Sequence, residues 1–152
     1  MKNKRPHYGD ENELNFKLVL SLHKGTQCMQ RREAAYIKEL TGLSMMQFFV
    51  LEALYHKGDL CVKDIKEITN ATGGNLTVVI KNLERDGLID RVEDPADRRR
   101  LALSLTDQGR ELIKELFEKH VVHLAELTSV LTTDEKQELI RIMKKLGRYN
   151  ER

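Results

Sequence analysis

Two clusters of side chains in the sequence have the chemistry to bind a polyanion. The first is Thr72-Gly73-Gly74-Asn75, continued by Thr77, Val78, Lys81 and Arg85. Glycines at a helix start leave the backbone open to close approach. The free N–H groups and positive dipole end there favour a phosphate. Asn75 has the paired donor and acceptor that read adenine, Thr77 can bond a phosphate or a base edge, and Lys81 and Arg85 suit phosphates. Val78 is apolar in this polar series, and a thymine methyl is the group it would meet. The second cluster is Asp97-Arg98-Arg99-Arg100. Successive residues of an extended chain point to opposite faces, so these arginines cannot all point one way. One is suited to a narrow, negative minor groove while its neighbours meet phosphates. Asp97 is close enough to orient a guanidinium through a charge-assisted bond.

Such clusters act only if rigid elements hold them. Pro6 and Pro95 are the only prolines, so the chain between them is free to form helices. Residues 1–11 are polar and read as a tail. From Glu13 onward, Leu14, Leu18 and Leu22 recur every four residues, and Phe16, Val19 and Leu20 widen the face. That predicts an amphipathic helix to about Leu40, with Gly25 as a candidate interruption. Thr41-Gly42-Leu43 breaks the pattern. Ser44 to Gln47 has capping-box spacing and opens a helix carrying Phe48, Val50, Leu51, Leu54 and Tyr55, which Lys57-Gly58 ends. Val62, Ile65 and Ile68 mark a short helix, followed by a turn-rich break from Asn70 to Asn75.

Leu76, Val79, Ile80 and Leu83 then form the i, i+3, i+4, i+7 stripe of a further helix. Its opposite face, with Asn75, Thr77, Val78, Lys81, Asn82 and Arg85, is the one predicted to meet DNA. The period next changes: Leu101, Leu103 and Leu105 alternate with Ala102 and Ser104, which predicts a strand. Leu88 to Val92 is its weaker partner, and residues 93–100 are the charged tip between them. Thr106-Asp-Gln-Gly109 opens a long helix to about Thr128. Thr132 to Glu135 repeats the capping-box pattern before a last helix with Leu139, Ile142, Met143 and Leu146.

This order gives a mainly α fold with a small β-hairpin wing, a winged helix-turn-helix flanked by N- and C-terminal dimerisation helices. The expected divisions are a tail over 1–11, a dimerisation helix over 12–40, the DNA-binding domain over 41–105 and dimerisation helices over 106–152. The outer helices have broad apolar faces that a small central module cannot bury, and a homodimer is the economical solution.

The 152 residues carry 26 Lys and Arg against 24 Asp and Glu, a net charge of only +2. A composition 40% hydrophobic and 33% charged argues against disorder. No apolar run approaches the ~20 residues of a membrane span, and no apolar stretch follows the basic N-terminus as in a secretion signal. Two cysteines make no disulfide framework. These features together predict a cytoplasmic chain with no membrane partner. From Lys81 to Arg100 the basic residues Lys81, Arg85, Arg91 and Arg98 to Arg100 are matched in number by Glu84, Asp86, Asp90, Glu93, Asp94 and Asp97. A running charge count therefore hides the two clusters.

From Leu43 to Gly109 the chain resembles the MarR family of bacterial transcription regulators. The resemblance rests on Leu43-Ser-Met-Met-Gln-Phe-Phe-Val-Leu51, on residues 73–88 and on residues 94–109. The last segment is the most specific. The family's wing carries Asp-x-Arg, a strand ending Leu-Thr and a glycine in the next helix, which Asp97, Arg99, Leu105, Thr106 and Gly109 match in order and spacing. The resemblance implies a homodimer with interlocking outer helices, a recognition helix in each major groove of a palindromic operator, and Arg99 at the wing tip oriented by Asp97. It also implies repression relieved by a small phenolic or other ligand, a metal ion or an oxidant. Cys61 departs from it, standing where Ser or Thr is common.

Other function classes fit less well. No phosphate-binding glycine loop, HExxH or nucleophile elbow is present, so neither an enzyme nor a cofactor is expected. Cys28, near Arg31 and Arg32, invites redox sensing, but free cysteine is more often a small apolar residue. His120 and His123, three apart on a helix, could share a metal with Glu115, Cys28 or His23, yet surface or interfacial histidines are the commoner use. No metal site is expected. A helical protein-interaction module is the remaining alternative, and it would need neither the basic tip nor the polar helix face. Residues that bind an effector are not legible.

Overall fold

The structure, a computed structural model, describes residues 8–69, 73–93 and 101–150. In chain order the elements are α1 (Asp10–Thr41), α2 (Met45–Lys57), β1 (Leu60–Cys61), α3 (Val62–Thr69), α4 (Gly73–Arg85), β2 (Ile89–Glu93), β3 (Leu101–Leu105), α5 (Asp107–Leu127) and α6 (Thr133–Asn150). The chain divides into two compact units, residues 1–116 and 117–152.

In the first unit, α1 opens on Asp10, Glu11 and Glu13, carboxylates that suit the positive end of the helix dipole. It stops at Gly42, whose φ of 74° favours glycine and whose N–H donates to the Lys38 carbonyl. Gly25 does not interrupt it. A single glycine costs about 1 kcal/mol relative to alanine, and long flanking helical segments outweigh one weak link. Only Ile37 of α1 is buried. Leu14, Phe16, Leu18, Val19 and Leu20 of its expected apolar face are all exposed within the single chain.

The expected capping box starts α2: the Gln47 N–H donates to Ser44 Oγ at 3.3 Å, and the Ser44 N–H to Gln47 Oε1 at 2.9 Å. This helix buries Phe48, Val50, Leu51 and Leu54. In α3 only Ile65 is buried, while Val62 and Ile68 are exposed. Three-residue steps drift by about 60° each around a helix, so only the middle one of the three points inward.

The wing strands pair as read, from Ile89↔Leu105 to Glu93↔Leu101. They belong to a three-stranded antiparallel sheet of order β1-β3-β2 rather than to a lone hairpin. In β1, Leu60 and Cys61 pair with Leu103 and Ala102; two residues are too few to show strand alternation in a sequence. The sheet's central strand, β3, buries Ala102 and Leu103.

Where α4 ends, Gly87 takes a φ of 68°. Its N–H bonds the Glu84 carbonyl at 3.0 Å and the Leu88 N–H bonds the Leu83 carbonyl at 2.9 Å, a Schellman turn. The same turn receives α5. Thr106 donates its N–H to the Leu88 carbonyl and its hydroxyl to the Gly87 carbonyl, at 3.2 and 2.7 Å. Thr106 Oγ1 also accepts from the Gly109 N–H at 2.9 Å. A Cβ added to Gly109 would sit inside the van der Waals envelope of the Leu88 carbonyl.

In the second unit, the Thr132 hydroxyl accepts from the Glu135 N–H at 3.3 Å, and Glu135 Oε2 accepts from the Thr132 N–H at 2.8 Å. That is the second capping box. The Thr132 N–H, then its hydroxyl, hold the Glu135 carboxyl below its ordinary pKa. Farther along, Arg141 forks onto Glu138 at 2.7 and 2.6 Å. Leu139, Ile140, Ile142 and Met143 are exposed on α6. Among the described residues no helix is long and apolar enough to cross a membrane.

Two outcomes follow from these contacts. Gly109→Ala must displace the Leu88 carbonyl, and overpacking of this kind costs roughly 1–3 kcal/mol; the urea midpoint should fall while the helical circular dichroism of the folded baseline is kept. Glu135 has a folded-state pKa below its unfolded one. Its contribution is therefore present above the ordinary carboxylate range and is lost as pH falls through the folded value. Protection of the amides at residues 132–136, taken against their intrinsic exchange rates, should fall on acidification, and Glu135→Gln, which has no charge to lose, should remove that dependence.

Candidate nucleic-acid interface

Helix α4 is divided as the sequence requires. Leu76, Val79, Ile80 and Leu83 are each no more than 6% exposed. Asn75, Thr77, Val78, Lys81 and Arg85 are exposed on the other side, with Asn82 half-buried. Val78 stands 57% exposed among polar neighbours. Among the described residues Lys81 has no ion pair, whereas Arg85 bonds Asp86 at 2.9 Å. That pair is exposed and contributes little, so the guanidinium is available to a stronger anion.

Gly73 and Gly74 form the first turn of α4. Gly74 has no positive φ, and a Cβ built on it meets nothing within 4 Å. Neither its own conformation nor its packing calls for glycine. Thr72, Asp97, Arg98, Arg99 and Arg100 lie outside the described residues. Strands β2 and β3 are paired up to Glu93↔Leu101, at the end of the ladder away from the Gly87–Thr106 junction.

One pair was not anticipated from the sequence. Arg91 on β2 reaches Glu84 on α4, Nε to Oε1 at 2.6 Å and Nη2 to Oε2 at 3.4 Å. Glu84 is half-buried, with its side chain 28% exposed, while the Arg91 side chain is 44% exposed. The only signal for it is a pair of opposite charges flanking the Gly87 turn, and a turn's course decides whether such charges meet.

The candidate sensing residues lie on different elements, α1, β1 and α5. Cys28 is exposed on α1. The Cys61 thiol donates to Asp64 Oδ2 at 3.0 Å, at the start of α3, the place where a serine or threonine would cap. His120 is buried, with its ring 6.5 Å from that of Phe117, and His123 is half-buried. Among the described residues no three His, Cys, Asp or Glu side chains are grouped to hold a metal ion. A cavity of about 480 Å³, lined by Phe49, Glu52, Ala53, His56, Lys57, Ile68 and Thr69, opens between α2 and α3. Sequence reasoning missed it, because its walls are ordinary residues brought together only by helix packing.

A sequence profile described as MarR family matches residues 41–100. The chain is 36% identical over 110 residues to YkoM, an uncharacterised HTH-type transcriptional regulator of Bacillus subtilis, with 72% of this chain and 71% of that one covered. It is 30% identical over 135 residues to the HTH-type transcriptional regulator MhqR of the same organism, covering 89% and 92%. The solved structure of Bordetella bronchiseptica BpsR, whose DNA binding is regulated by 6-hydroxynicotinic acid, has the same fold. Its TM-score is 0.73 at 23% identity, over 95% of this chain and 98% of that one.

The Cys61 geometry has a direct check. Cys61→Ser keeps a donor to the Asp64 carboxylate and should leave stability within about 0.5 kcal/mol, while Cys61→Ala loses that hydrogen bond and should cost about 0.5–1.5 kcal/mol. Equal urea midpoints for the two variants would remove the contribution of the thiol–carboxylate bond.

Proposed function

The chain belongs to the MarR family of transcriptional regulators, and from that premise we propose that it is a homodimeric repressor, released from a palindromic operator by an effector. Its sequence relatives are regulators and not enzymes. The observation that carries the reading is the start of α4. Glycine at position 74 costs helix stability without answering any need of the folded chain. A phosphate approaching the helix N-terminus supplies the need, because its oxygens must come close to the backbone N–H groups.

In this reading α4 enters the major groove. Gly73, Gly74 and Thr72 lie against a phosphate, Asn75 and Thr77 reach base edges, Val78 meets a thymine methyl, and Lys81 and Arg85 bond flanking phosphates. Arg98, Arg99 and Arg100, with Asp97 as orienting carboxylate, take the adjacent minor groove and backbone. The exposed apolar residues of α1 and of α6 support pairing with a second copy, which would cover them. Two identical recognition helices then read two halves of a palindrome. A dimer seated on a promoter excludes polymerase, hence repression, and it acts in the cytoplasm where bacterial DNA lies.

The cavity between α2 and α3 supports a small-molecule effector, since about 480 Å³ lies within the range of ligand pockets. Regulation of BpsR by 6-hydroxynicotinic acid is consistent with that.

Selection of bound sequences from a random duplex pool tests the reading, and a two-fold symmetric consensus is expected. Affinity for it should fall with salt by about 0.9 log unit per log salt for each phosphate contact. Gly74→Ala should have opposite effects on the two properties: folding gains roughly 0.5–1 kcal/mol, while binding of the selected duplex weakens. Recovery of no consensus at low salt would sink the proposal. Gly74→Ala binding the duplex undiminished would remove the phosphate from the helix start.

A further inference from the structure

Glu84 is a carboxylate on a helix proposed to face phosphates. It continues the i, i+4 row of Leu76 and Ile80, so it lies at the inner edge of α4 and not on its outward face. Arg91 comes from the other side of the Gly87 turn. In β2 it shares a face with buried Ile89, two residues earlier, and so it points toward the helix. The two form a fork with both guanidinium–carboxylate bonds made. A bidentate pair fixes direction as well as distance, which a single point-charge contact does not.

The sheet already has one tie to this part of the fold. The Leu88 and Gly87 carbonyls hold Thr106 where β2 begins and β3 ends. Burial of Ile89, Ala102 and Leu103 seats the inner part of the strands, and their outer ends can still tilt relative to α4. Arg91 is three residues farther along, roughly 10 Å at strand spacing, and its fork supplies a second tie against α4. Two ties fix an angle.

We propose that the Glu84–Arg91 fork is a positioning pair. It holds β2 and β3 at a set angle to α4, so that helix and wing engage one DNA site together, and it is a determinant of specificity. The inference rests on the DNA-binding reading above. The fork neutralises Glu84 and occupies the Arg91 guanidinium, so its effect lies in geometry and not in charge.

That distinction gives the test its sign. The probes are the duplex selected by the wild-type protein and a scrambled duplex of the same composition, with full-length protein throughout. Glu84→Gln removes a negative charge, and phosphate electrostatics alone would tighten binding to both. Loss of the angle instead weakens the selected duplex by roughly tenfold, the scale of a coupled pair, and leaves the scrambled one no weaker. Arg91→Lys keeps the charge and loses the fork, and the ratio of the two affinities should fall with it as well. Thermal unfolding of each variant verifies that the folded protein is being compared.

Glu84→Gln binding the selected duplex as tightly as wild type, or more tightly, overturns the inference. So does an unchanged affinity ratio in Arg91→Lys. A wild-type protein that selects no duplex overturns the DNA-binding reading and this inference with it. One that selects a duplex which Glu84→Gln binds equally well overturns the inference alone.

Discussion

The closest constraint in the first unit is the approach of α5 to the backbone of Leu88. Gly109 has no side chain, and the Leu88 carbonyl occupies the space where one would be. That approach lets Thr106 make three bonds at one place: N–H to Leu88, hydroxyl to Gly87, and Oγ1 from Gly109. The end of α4, the start of β2, the end of β3 and the start of α5 therefore meet within one hydrogen-bonded turn. Each has a separate local reason to be there. Gly87 terminates α4 because its φ of 68° suits glycine, and Leu88 is buried just past the turn. Thr106 then caps the next helix with the same oxygen chemistry that serves elsewhere in the chain. Backbone groups thus anchor the proposed recognition helix to the strands at this end, and sequence change outside glycine and threonine hardly touches them.

From that junction the division of labour on α4 follows. The helix must bury one stripe against the core and can leave the other face bare, and its polar residues lie on the bare side. What packing does not explain is Val78 in the open and glycine at position 74. An exposed valine alone is ordinary. Under the proposed reading the two together, on the same helix and beside Asn75 and Thr77, meet a partner that presents both methyl groups and closely approaching oxygens. A duplex groove has thymine methyls and phosphates in that arrangement.

Much of this was legible in the sequence wherever a local signal decides the outcome. The capping boxes at Ser44 and Thr132, the glycine stops at Gly42 and Gly58, the stripe of α4 and the alternation of β3 each depend on residues within one or two turns of each other. Four features were not legible, for three different physical reasons. Strand β1 is too short to carry a period, and it exists because β3 offers it an open edge. Gly25 looked like a break, but the cooperativity of a long helix carries it through. The Glu84–Arg91 fork and the cavity beside Phe49 depend on how elements pack, which no spacing encodes. For the candidate DNA-reading residues, position on a helix face was readable, whereas the environment of each charge was not.

The charge balance shows why that environment matters. A net charge of +2 would suggest indifference to DNA if charges acted as a sum. Packing breaks the sum into pairs. Glu84 is engaged by Arg91, and Asp86 stands beside Arg85 in a weaker, exposed pair. Lys81, without an ion pair among the described residues, keeps its charge for the solvent face. Under the proposed reading a small number of well-placed cations supplies the attraction, and the modest total limits binding to arbitrary sequence. Discrimination must then come from contacts that depend on geometry, base edges and groove shape, and those tolerate little error in the angle between helix and strands. A protein with little net charge therefore has more reason to fix that angle twice, once through the backbone at Leu88 and once through the fork at Arg91.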